Sequence, residues 1–131
     1  MDYEEYANLA RQAAQFLEAG AHEQALQTFR TLLARDISDL DKAMMCNNIS
    51  VVLEQMGREQ EALASYERGM SYERLHGRNV LAEQRAGYLY RLGRLAESLR
   101  AYEELLHRPS LTEEEKQRMR QYIAALRAQL E

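Results

Sequence analysis

The chain has no tryptophan, one proline, one cysteine and six glycines among 131 residues. Each scarcity excludes something. A single thiol, Cys46, cannot form an internal disulfide, so this is no disulfide-stapled scaffold, and such usage fits a reducing compartment. With Pro109 as the lone proline and few β-branched residues, little marks strands or Pro-rich loops. No apolar run approaches the length that spans a bilayer, and the opening residues, MDYEEYANLA, are acidic where a secretory leader is basic. A cytoplasmic protein is expected. Charge of one sign is also missing: 17 Lys and Arg stand against 21 Asp and Glu, a net −4, so there is no strong field to hold nucleic acid or an anionic membrane. Neither is expected as a partner.

What is abundant is Ala, Leu, Glu, Gln and Arg, the residues that lose least on entering a helix. The pattern predicts an all-α chain of one domain, with seven helices at roughly 3–19, 22–35, 40–56, 59–75, 80–92, 95–107 and 112–130. One phrase recurs: GREQEALASYERGM at 57–70 returns as GRLAESLRAYEELL at 93–106, and more loosely as GAHEQALQTFRTLL at 20–33. Gly57 minus Gly20 is 37 and Gly93 minus Gly57 is 36, a near-constant period that marks a solenoid built from helix pairs. Within the phrase Leu63, Tyr66 and Met70, like Leu99, Tyr102 and Leu106, fall three and four apart and should share a buried side. Glu61, Glu67 and Arg68, and Arg100, Glu103 and Glu104, should face water. Gly20, Gly57 and Gly93 read as turns and Gly77 as a helix stop, with Asn79 capping the next helix. Thr112 before three glutamates reads as the N-cap of the last helix, whose Met119, Tyr122, Ile123, Leu126 and Leu130 share one side.

Catalytic chemistry has few candidates. His22, His76 and His107 fall at helix ends with no i, i+4 pair among them, and Cys46 sits inward beside Met45 and Ile49 as a small apolar group. No Gly-rich phosphate loop is present, since the glycines follow the repeat. Met45, Met56, Met70 and Met119 occupy core positions. No enzyme activity, cofactor or metal is expected.

These spacings resemble the tetratricopeptide repeat. Ala25 with Phe29, Ala62 with Tyr66, and Ser98 with Tyr102 match the small-residue and aromatic pair of that family's second helix, four apart. On the first helix Ala13, Ser50 and Ala86 hold the small position, and Phe16, Leu53 and Leu89 the aromatic one. The family's leading tryptophan is replaced by Leu9, Cys46 and Ala82, Gln12 and Arg85 stand where a leucine is usual, and both periods exceed the usual ~34. The resemblance covers three repeats, about 3–37, 40–76 and 79–108, with about 112–130 left as a capping helix. It implies a right-handed α–α superhelix of antiparallel helix pairs, a scaffold or adaptor whose concave surface holds a peptide or helix of a partner protein. Carried over by position, the groove would be lined by Ala7, Ala10, Ala14 and Leu17, then Met44, Asn47, Asn48, Val51 and Gln55, then Val80, Glu83, Gly87, Tyr90 and Arg91. Such small, apolar positions suit a partner that presents apolar side chains.

One subset of that family grips chaperone C-terminal carboxylates through Lys, Asn and Arg. Here Ala10, Ala14, Val80 and Gln84 occupy four of those places and only Asn48 matches, so converging cationic donors are missing and that function is not expected. Asn47 and Asn48, costly in mid-helix, could bond a bound peptide's backbone or, equally, a neighbouring helix or water. The alternative to a partner-binding groove is a self-assembling structural unit, a homo-oligomer whose copies pair through the N-terminal helix with Tyr3 and Tyr6.

Overall fold

The computed structural model describes residues 2–131, and among them the chain is all-α: α1 (Tyr3–Glu18), α2 (His22–Leu33), α3 (Asp39–Gln55), α4 (Glu59–Arg74), α5 (Val80–Arg91), α6 (Leu95–Leu106) and α7 (Glu113–Leu130). Every boundary falls within two residues of the sequence expectation. Hydrogen bonds at the joints explain why. At Gly57 (φ +72°) the Arg58 amide donates to the Leu53 carbonyl at 2.9 Å and the Gly57 amide to Glu54 at 3.0 Å, a paired closure that needs a left-handed residue. Gly20, Gly77 and Gly93 close their helices with the same two bonds. At the other ends, Asp2 caps α1, Ser38 caps α3, and Thr112 and Glu115 form a reciprocal capping box on α7.

Two compact units divide the chain, Met1–Tyr72 and Glu73–Glu131. In the first, α1 packs on α2 and α2 on α3. Leu26, Phe29, Leu32, Met45, Ile49, Val52 and Leu53 close its core, and Ala13, Ala25, Ala62 and Ser50 have no exposed surface, so backbones can approach there. Helix α4 is tied to α3 by two bonds. The Ser65 hydroxyl donates to the Cys46 carbonyl at 3.0 Å, and the Tyr66 hydroxyl to the Glu54 carboxylate. Cys46 is buried, and burial pushes its thiol up to about 11 against the opposing charge of Arg68; it is an inert core group.

In the second unit α5 packs on α6 and α6 on α7, around Leu81, Ala82, Ala86, Leu89, Tyr102, Leu105, Met119, Ile123 and Leu126. The repeated small positions serve as expected: Ser98 is buried and donates to the Ala86 carbonyl across α6 and α5 at 2.8 Å. Three expectations are corrected. Asn79 stands at the N-cap of α5, but its side chain makes no cap; it is buried, donating to Ser110 Oγ and accepting from Arg108 at 3.0 Å each, which ties the turn before α5 to the turn before α7. The cap comes from Glu73 instead, whose buried carboxylate accepts from the Leu81 and Ala82 amides at 2.8 and 3.1 Å. Tyr122 and Leu130, read as core, are 39% and 45% exposed. Leu63, Met70, Leu99, Leu106 and Met56 are half-buried, and Glu103, expected in water, is half-buried beside Arg127.

Candidate functional site

Spacing on α5 puts Val80, Glu83, Gly87, Tyr90 and Arg91 along one flank, three and four residues apart. Helix α7 lies beside that flank and runs parallel to α5. Near the start of both helices Arg118 grips Glu83 with two bonds of 2.9 and 2.6 Å, and near their ends the Gln129 amide donates to the Tyr90 hydroxyl at 3.2 Å. Between these two clasps the helices enclose an open cleft. Its floor is Tyr102 from α6, buried, with its ring tilted 36° against Tyr122 at a centroid separation of 4.9 Å.

The cleft has two adjoining recesses. One, of about 350 Å³, is polar at its mouth, with Asn79, Glu83, Gln84, Arg118 and Glu115 around it. The other, of about 370 Å³, is bounded by Tyr90, Tyr102, Tyr122, Ala125 and Leu126. Gly87 borders both. A Cβ there would stand 3.6 Å from the Tyr102 hydroxyl, so the glycine keeps the space over that hydroxyl open in mid-helix. Burial, and then the nearby Tyr122 phenol and Glu83 carboxylate, push the Tyr102 phenol up to about 12, with Arg91 opposing; it stays a neutral donor at any physiological pH. The bidentate bond to Glu83 likewise holds Arg118 above the usual guanidinium range. Tyr90, 44% exposed, and Val80 stand at the rim as large apolar groups in water.

The sequence-derived positions thus divide between the units. Glu83, Gly87, Tyr90 and Arg91 come together in this cleft, although Glu83 is engaged by Arg118. In the first unit Ala10, Ala14 and Leu17 lie on one flank of α1, and Met44, Asn47, Asn48, Val51 and Gln55 on one flank of α3. Burial, and then the charge of Asp41 on α3, raise the Tyr6 phenol above its ordinary range. Met44 is 56% exposed, Val51 and Gln55 are exposed, and Asn48 is half-buried. The Asn47 side-chain oxygen, Oδ1, is buried without a hydrogen-bond partner among the described residues, the kind of acceptor that an incoming N–H would satisfy. Tyr102, Tyr122, Arg118 and Gln129 were missed as lining residues. The signal was present, since Tyr122, Leu126 and Gln129 continue at helical spacing, but α7 was assigned only a capping role.

Among the described residues no group of three or more His, Cys, Asp or Glu is gathered as a metal site, and no helix is long and apolar enough to cross a membrane. No protein-family model matches the chain, and a search of curated proteins finds no match.

Proposed function

We propose that the chain is a protein-interaction module of tetratricopeptide-repeat type, an adaptor or scaffold that holds a segment of a partner protein through apolar side chains in the α5–α7 cleft. The observation that carries this reading is the cleft itself: three tyrosines arranged around a glycine gap, two of them substantially exposed, between helices already clasped at both ends. Tyrosine suits the role because it offers a large rigid apolar face with a polar tip, and such residues dominate the energetics of protein interfaces. Preformed clasps keep the ordering cost of binding low. In the first unit, the exposed Met44 and Val51 on α3 form a separate apolar face.

Selection from a random peptide display library tests this directly. Enriched peptides should carry aromatic or aliphatic anchors, bind at least tenfold more weakly to Tyr122→Ala and Tyr90→Ala, and be indifferent to Tyr3→Ser. Val51→Glu reports whether the α3 face takes part. Peptides that bind all variants alike would remove the cleft from the account.

A further inference from the structure

Outside the cleft, the first unit has a trough between α2 and α4. Its volume is about 260 Å³, Ile49 and Leu53 of α3 form the floor, and Ala64 leaves room in one wall. Arg30 and Arg68 stand at its two rims, and neither guanidinium has an ion-pair partner among the described residues. Their charges are felt locally. Arg30 acts on Glu61, a carboxylate at the same rim that is taken up by Arg58, and Arg68 acts on the Cys46 thiol beneath the floor. Two uncommitted cations over an apolar floor call for an apolar or aromatic group flanked by carboxylates.

The same unit carries such a group. Tyr3 is 84% exposed, the most exposed large apolar residue among those described, and it stands between Asp2 and Glu4. Glu4 makes no side-chain bond among the described residues, whereas Glu5 is spoken for by Arg35 at 3.6 Å. We infer that the Tyr3 ring of one copy seats in the α2–α4 trough of a second copy, with the flanking Asp2 and Glu4 carboxylates meeting Arg30 and Arg68. The trough holds one phenol ring, and two carboxylates face two guanidiniums: Glu4, and Asp2 through the oxygen that does not cap α1. Because the two surfaces differ and lie on the same unit, the contact either is made twice, reciprocally, in a two-fold dimer or is made once per pair, closing a larger ring or propagating a chain. It is independent of the α5–α7 cleft.

Analytical ultracentrifugation of the full chain from about 1 to 500 µM gives the test. Wild type should associate with concentration, and Tyr3→Ser and the double variant Arg30→Glu, Arg68→Glu should each weaken that association at least tenfold while keeping the wild-type circular dichroism. Mixed together, those two variants should form one-to-one dimers, since one retains the trough and the other the tyrosine. Tyr90→Ala should associate like wild type. A wild type that stays monomeric throughout, association unaffected by both variants, a mixture that stays monomeric, or loss of association with Tyr90→Ala would each overturn the inference.

Discussion

Two buried residues show how much of this fold rests on single side chains. Tyr66 has no exposed surface, and its hydroxyl bonds Glu54. Tyr66→Ala should cost about 3–5 kcal/mol, the range for deleting a buried aromatic, and Tyr66→Phe roughly 1–3 kcal/mol for the bond alone; urea unfolding measures both. Glu73 is subtler. Burial raises its pKa above 4.5, outweighing the amides of α5 and the charge of Arg108, which lower it. A raised folded-state value means stability that is fully present below about 4.5, the unfolded value, and lost as pH rises through the folded one. Wild type should therefore gain on Glu73→Gln, which keeps the cap but not the charge, as pH falls from neutrality towards that value. A flat difference across that window would show that Glu73 titrates normally. Glu73→Ala, leaving two buried amides without an acceptor, should cost about 1–3 kcal/mol near the lower end of that window and less as pH rises.

At the scale of elements, the joints are the sensitive points. Gly57 is at positive φ, and an added Cβ would meet nothing within 4 Å, so Gly57→Ala isolates the backbone cost of the left-handed turn, about 1–2 kcal/mol by thermal or urea unfolding. The helices were legible because their punctuation is local: a glycine closes one and Ser38 or Thr112 opens another within four residues, and the Ala62–Tyr66 and Ser98–Tyr102 pairs announce their buried side. The cleft was half legible. Its α5 flank followed from the repeat position of Glu83, Gly87, Tyr90 and Arg91, but nothing near Arg118 or Gln129 in the sequence says that they reach across 35 and 39 residues to that flank. The same distance problem hid Glu73, whose role depends on how the turn at Gly77 folds α5 back over it, and it left Asn79 looking like an ordinary cap. Tyr122 was misassigned because periodicity reports a helix side without saying whether that side meets a neighbour or a gap.

For the molecule as a whole, charge is distributed unevenly. Residues 2–72 hold 6 Lys and Arg against 12 Asp and Glu, a net −6, whereas 73–131 hold 11 against 9, a net +2. Copies that meet through their acidic first units repel at long range, and that repulsion reaches about 30 Å at 0.01 M salt but only about 8 Å at 0.15 M. Self-association through Tyr3 should therefore strengthen as salt rises over that interval, read by light scattering, opposite to the behaviour of a contact governed by its ion pairs alone. The glycine in the middle of α5 bears on selection acting on the entire protein. Gly87 weakens its helix by about 1 kcal/mol relative to alanine, and an alanine methyl would meet Arg91 and Tyr102 only at ordinary contact distance, 3.6 Å. Gly87→Ala should raise the melting temperature while dulling the cleft, and Gly87→Leu should shut it. Optimised for robustness alone, this chain would drift towards a sturdier molecule whose cleft has closed, silencing whatever binding the proposed function assigns to it.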